Sequence, residues 1–267
     1  MKRWIFGMAL AVIVTFSSMA ALAWWQPRYL FMATAYFAPE FAAQWFVNWR
    51  KRMESRFTEN SLRNLESEVV RIELEGRQYN VPMRYLYGKA IEKYGRWPTA
   101  KPGRVNVKAL GISVITMDLI PYYPKDDARW NVLGHGERIE IAIASSSNNP
   151  DWFTKYRDNY FSGNYKFSKR QGTVHGLVKF EGNGELSDDY FPIDDTIELS
   201  MHCNKGEKRK DYSPGCNVSS NYHPGITLNY SYGKNYLPNW KEIDFKLKEL
   251  FDQFEASAKS EKNKKEN

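Results

Sequence analysis

The 267-residue sequence predicts an α+β fold: a mainly antiparallel sheet with an N-terminal amphipathic helix and a C-terminal helix packed on the sheet. Three observations carry that expectation. Aromatic and apolar residues recur every four positions between Phe37 and Phe57; apolar and polar residues alternate from Val69 onward; apolar residues recur at three- and four-residue steps near the C-terminus. Strands are not regularly alternated with long helices, which argues against a doubly wound parallel sheet.

Residues 1–25 read as a secretion signal or a single membrane anchor. Lys2 and Arg3 form a basic start, residues 4–16 an apolar stretch and residues 17–23 a run of small residues ending in Ala21-Leu22-Ala23, which suits a signal peptidase. The same segment, with Trp24 and Trp25 at its end, is about the ~20 residues a spanning helix needs. Cleavage after Ala23 and retention as an anchor are both open, and either places the remainder in the periplasm. Residues 26–67 follow as an amphipathic segment. Phe37, Phe41, Trp45, Trp49, Met53 and Phe57 share one helical face, and Arg50-Lys51-Arg52 trail it. Such a face suits a helix lying in the membrane interface or packing on the domain. A second span over residues 29–49 is opposed by Arg28, Pro39 and Glu40.

Residues 68–256 form the expected β-rich domain. Val70, Ile72 and Leu74 alternate with Arg71, Glu73 and Glu75, and Glu75-Gly76-Arg77-Gln78 turns the chain into a second strand closed by Pro82. Further strands are expected at 105–119, 138–144, 173–180, 196–202 and 225–232, with a short helix at 83–94. Trp240, Ile243, Leu247, Leu250, Phe251 and Phe254 mark the C-terminal helix, preceded by Pro238 and a capping Asn239. Residues 257–267 hold no large apolar side chain and are expected to be a disordered polar tail.

The two cysteines, Cys203 and Cys216, flank a polar loop in a chain carrying an export signal, the pattern of one disulfide formed in an oxidising compartment. A zinc site built from His202, Cys203, Cys216 and His223 is the alternative. Its spacing matches no standard pattern, and adjacent strand residues point to opposite faces. His135, in Gly134-His135-Gly136, and His175, in an expected strand, stand apart from other candidate groups.

No nucleophile elbow, metalloprotease helix, phosphate-binding loop or dinucleotide fingerprint occurs. Three acid pairs, Asp126-Asp127, Asp188-Asp189 and Asp194-Asp195, could serve glycosidic hydrolysis or calcium, but each lies among turn formers, so solvated turns are expected. The net charge of +7 falls by two if Lys2 and Arg3 leave with a signal, and the basic runs are not interleaved with stacking aromatics, so nucleic acid is not indicated. No cofactor and no metal are implied.

The run Ile72-Glu73-Leu74-Glu75-Gly76-Arg77-Gln78-Tyr79-Asn80-Val81-Pro82 resembles the opening hairpin of small envelope proteins that protect bacteria from toxins delivered by neighbouring cells. The ending Gly225-Ile226-Thr227-Leu228-Asn229-Tyr230-Ser231-Tyr232, with Leu237, the helix from Trp240 and the cysteine loop before it, is similar to immunity proteins paired to type VI secretion effectors. The resemblance covers a third of the chain. It implies a non-enzymatic envelope protein that neutralises a toxin or effector by occlusion, and transfers no catalytic residue. With aromatics at 15% of the chain, interface anchors are expected in Tyr122-Tyr123-Pro124-Lys125-Asp126-Asp127 and Asp151-Trp152-Phe153. The candidate partner-binding residues are therefore Tyr122, Tyr123, Asp126, Asp127, Trp152 and Phe153. The competing readings are an envelope hydrolase using Asp188, Asp189, Asp194 or Asp195, and a scaffold component of a membrane complex working through its N-terminal helices.

Overall fold

The computed structural model describes residues 68–86, 103–115, 117–123, 126, 129, 136–146, 152–164, 169–182, 187–206 and 214–266. The expected signal or anchor, the amphipathic segment, Asp127 and His135 lie outside the described residues.

Strands β1 (Val69–Leu74) and β2 (Arg77–Pro82) form the expected hairpin. Glu75 and Gly76 both take positive φ, 49° and 75°, the combination a two-residue hairpin turn requires. A two-residue strand, β3 (Val105–Asn106), adds parallel to β1. Arg104 ties this small sheet together by donating to the Ile72 and Tyr79 carbonyls at 2.8 and 3.2 Å. The helix expected at 83–94 is a single 3-10 turn, Met83–Leu86, over its described part.

The larger sheet has eight strands: β4 (Ala109–Ile115), β5 (Arg138–Ser145), β6 (Lys169–Val174), β7 (Leu177–Glu181), β8 (Ser187–Pro192), β9 (Leu199–Asn204), β10 (Gly215–His223) and β11 (Ile226–Gly233). Their order is β4-β5-β11-β10-β9-β8-β7-β6, and every neighbouring pair is antiparallel. Among the described residues, the α-helices with full ranges are α1 (Trp152–Phe161) and α2 (Trp240–Glu266).

Several expected boundaries are corrected. The strand expected over 173–180 is a hairpin, because His175 and Gly176 adopt φ of 51° and 76° and turn the chain. The strand expected from 196 begins at Leu199, since Asp194 accepts bonds from the Thr196 amide and hydroxyl at 3.1 and 2.6 Å and holds a turn. Residues 187–192, read as a solvated turn, form a buried strand, and residues 215–223 form another.

The two faces of the large sheet differ in chemistry. Along β9, Leu199, Met201 and Cys203 are buried while Ser200, His202 and Asn204 are not, the alternation of a sheet covered on one side. On the covered face, the Tyr230 hydroxyl donates to Asp244 of α2 at 3.0 Å. The apolar stripe of α2, Trp240, Ile243, Leu247, Leu250, Phe251 and Phe254, is buried as the periodicity predicts. The helix reaches the small sheet as well, where Phe251 meets Tyr79 edge to face.

Helix α2 also runs on to Glu266, past the boundary expected at 256. Ala258 is buried, and the Glu261 carboxylate accepts from Arg71 and Asn80, each at 2.9 Å. Those bonds give the polar turns a reason to stay helical. The disulfide joins Cys203 to Cys216 across directly paired positions of β9 and β10, both buried on the covered face. It therefore staples the two strands either side of the polar loop.

Candidate functional site: cavities meeting at Trp152

The uncovered face of the large sheet carries two cross-strand rows of polar side chains. In the first, β8 to β5, Asp189, His202, Asn217, Ser231 and Glu140 stand opposite one another. In the second, Ser200, Ser219 and Asn229 do so, and the row ends on the small apolar Ala142. Towards β7 and β8 this face becomes apolar, and Tyr160 of α1 packs there on Val178, Phe180 and Phe191. Helix α1 thus forms a wall beside an open polar floor. Trp152 and Tyr156, four residues apart on that helix, line the resulting cavity of about 500 Å³.

An ordered chain of polar groups sits at the foot of this wall. His202 Nδ1 lies 2.8 Å from Asp189 Oδ1, and the Tyr160 hydroxyl donates to Asp189 Oδ2 at 3.2 Å. Burial first, and then bonds and charge from Tyr156 and Asp189, hold the Tyr160 phenol far above its ordinary value, so it stays a donor. Because a carboxylate only accepts, the imidazole carries its hydrogen on Nδ1, and Nε2 is the ring nitrogen left for a ligand.

A second cavity, of about 610 Å³, lies on the other side of Trp152. Ile197, Pro224, Trp240 and Phe245 give it apolar walls, and Glu198, Lys241 and Lys248 are among its polar residues. A third concavity shares Ile197, Trp240 and Lys241 with it and adds Ile193 and Pro238. Three large apolar side chains are exposed among the described residues: Phe161 at 39%, Ile193 at 53% and Phe245 at 60%. The Phe161 ring is covered by the guanidiniums of Arg157 and Arg170, 4.9 and 5.7 Å from its centroid. Ile193 and Phe245 border the adjoining apolar concavities instead. Trp240 is fixed between them, its indole N–H donating to the His175 carbonyl at 2.8 Å.

Of the described residues expected to contact a partner, Trp152 lines both of the first two cavities and the others line neither. Tyr122 is buried in a small cluster with Ile115, and Phe153 is 2% exposed, so neither offers the surface expected of it. Tyr123 lies beneath the Arg84 guanidinium, 4.2 Å from its ring centroid. Asp126 is buried beside Arg129 at 3.6 Å rather than in a solvated turn. Tyr156 and Phe245 were not singled out from the sequence. The spacing Trp152, Tyr156, Tyr160 is a helical signal that points to the first. Nothing in the periodicity of α2 marks Phe245, which stands off its apolar stripe.

The acid pairs do not form a two-carboxylate centre. Asp188 and Asp189 are both buried, but as strand neighbours they take opposite faces. Asp188 meets Lys179 at 3.1 Å and Lys205 at 3.8 Å, while Asp189 meets His202. The zinc arrangement is ruled out by the same alternation, since Cys203 and Cys216 are bonded to each other and His202 faces away from them. His223, Asp252 and Glu255 do bring ligand atoms within 4.8 Å of one another. Glu255 is already held by Arg77 and Lys259, both at 3.0 Å, and Asp252 by the Tyr222 hydroxyl, so this trio is an ion network rather than a metal cradle. Among the described residues no helix is long and apolar enough to cross a membrane.

No protein-family model matches the chain, and no curated protein matches it at a significant level. Among solved structures it is similar to the iron-regulated outer membrane lipoprotein FrpD of Neisseria meningitidis, at 15% identity and a TM-score of 0.45, over 71% of this chain and 93% of that one. It is also similar to an immunity protein of the Stenotrophomonas maltophilia type IV secretion system, at 13% identity and a TM-score of 0.47, over 70% of this chain and 92% of that one. The immunity protein in that comparison serves a type IV system, and neither likeness is to a type VI immunity protein as expected from the sequence.

Proposed function

We propose that the chain is a non-enzymatic envelope protein that binds and neutralises a protein partner, a secreted toxin or effector acting in the periplasm, through the apolar concavities around Trp240 and Phe245. The observation that carries this reading is the placement of Ile193 and Phe245. Exposed large apolar side chains on a monomer are ordinarily scattered, whereas these two line adjoining concavities that share Ile197, Trp240 and Lys241. A central aromatic anchor with charged residues at its margin, here Lys241, Lys248 and Glu198, is the anatomy of a protein-binding hot spot. The export signal expected from the sequence, the stapled domain and the lack of a recognised catalytic motif in the sequence are consistent with a protein that acts by occlusion.

The test uses affinity-tagged protein expressed in the periplasm. Wild type is expected to retain a protein from envelope extracts that Phe245→Glu loses at least tenfold, with the variant's circular dichroism unchanged. The retained protein, expressed alone in the periplasm, is expected to arrest growth, and co-expression of wild type but not of Phe245→Glu is expected to restore it. Retention untouched by Phe245→Glu, or a retained protein without toxicity, would overturn the reading.

A further inference from the structure

We infer that the polar cavity beside α1 is a second binding site, separate from the apolar partner surface, and that it takes a neutral polyhydroxylated ligand, a short glycan. Three features of the cavity carry this. The first is an aromatic wall over a polar floor. Trp152 and Tyr156 stand four residues apart with ring centroids 6.2 Å apart and planes tilted by 42°, so they present aromatic surface along one side. Such faces pack against the C–H faces of a pyranose ring, while hydroxyls need the donors and acceptors of a floor.

The second feature is the floor itself. Asn217, Ser219, Asn229 and Ser231 lie on neighbouring strands β10 and β11 in direct register. Neighbouring strands are about 4.8 Å apart, close to the spacing of alternate equatorial hydroxyls on a pyranose ring. Amides and hydroxyls supply both donors and acceptors, as a sugar does, and His202 Nε2 adds an acceptor at the edge nearest the wall. The Ser219 hydroxyl is oriented by Asn229, to which it donates at 2.7 Å.

The third feature is charge. The cavity holds two carboxylates, and each is engaged by protein partners: Glu140 by Arg138 at 2.7 Å, Asp189 by His202 at 2.8 Å and by the Tyr160 hydroxyl at 3.2 Å. Both carboxylates are thus already bonded within the protein rather than presented to an ionic ligand, and the polar floor gives nothing to a lipid chain. A volume of about 500 Å³ admits a di- or trisaccharide, within the roughly 300–1,000 Å³ common for small-ligand sites.

The experiment is a calorimetric and ¹⁵N NMR titration of the full chain with chitotriose, cellotriose and maltotriose, and with trilysine as the charged comparison. Saturable binding of at least one oligosaccharide is expected, with shifts at the amides of β10 and β11. Trp152→Ala is expected to weaken it at least tenfold, and Asn217→Ala, at an exposed floor position that does not bear on folding, likewise. No saturable shift with any of the three sugars, saturation that persists unchanged in both variants, or binding of trilysine alone would overturn the inference. The protein-capture assay above contains no added sugar and turns on Phe245, which does not line the polar cavity, while Asn217 does not line the apolar one, so either result stands without the other.

Discussion

Gly182 follows β7, and its amide donates to the Ser187 carbonyl at 3.1 Å as the chain enters β8. A Cβ at that position would lie 2.9 Å from the same carbonyl oxygen and 3.0 Å from Asp189 Oδ2, so backbone must move to admit it. Gly182→Ala is therefore expected to cost about 1–3 kcal/mol in urea denaturation, the usual penalty of overpacking. His223 supplies a second test at this scale. Burial lowers its imidazole from the ordinary value, Arg77 and Lys259 act in the same direction, and Asp252 and Glu255 oppose them. The unfolded chain thus binds a proton near the unperturbed value of about 6.5 while the folded chain does not until lower pH. The stabilising contribution is complete above the unfolded value and is lost as pH falls through the folded one. Thermal midpoints measured from pH 8 to pH 5 should fall less steeply in His223→Gln than in wild type. Equal slopes would mean that the imidazole does not report on folding.

Helix α2 shows both how much its sequence reveals and where that stops. Steps of three and four residues from Trp240 to Phe254 identify its buried face because one side of one helix does one job. Beyond Ala256 the residues are polar apart from Ala258, and what holds them includes strands 190 and 181 residues away from Glu261, where Arg71 and Asn80 meet its carboxylate. No local pattern encodes a partner so distant. Strand β8 was illegible for a related reason: Asp188-Asp189 looks like a turn until Lys179, Lys205, His202 and Tyr160 arrive from three other elements. The disulfide and the β1–β2 hairpin were legible because their signals, two cysteines flanking a polar loop and a Glu75-Gly76 turn, are local. The same physics predicts that deleting residues 257–267 destabilises the domain by on the order of 1–3 kcal/mol, through loss of the Ala258 contact and the Glu261 bonds. Glu261→Gln should cost about 1 kcal/mol, because Arg71 is partly exposed and its pairing is screened by water. A truncated protein as stable as wild type in urea would show that these last turns contribute nothing.

At the scale of the whole molecule, one disulfide connects where the chain travels to how well it holds together. Cys203 and Cys216 lie near the middle of the eight-stranded sheet and are fully buried, so oxidation and folding of β9 against β10 are coupled. A bond closing a loop with a sequence separation of 13 contributes about 3 kcal/mol in the loop-closure model. Against the 5–15 kcal/mol or so typical of a domain this is a large share, yet reduced cysteines remain small apolar side chains that the same pocket accepts. The fold should therefore survive reduction while becoming markedly easier to unfold. Full-length protein recovered from the cell envelope and alkylated under denaturing conditions should carry no free thiol. The chain produced without residues 1–23, in a reducing cytoplasm, should carry two and unfold with a free energy about 3 kcal/mol lower. The aromatic surface around Trp240 and the polar floor beside Trp152 both rest on strands that this bond clamps, so the reduced form should also bind its ligands less well than the oxidised one. Two alkylatable thiols in the envelope fraction would separate the disulfide from the protein's working state, and with it the argument that the domain acts in an oxidising compartment.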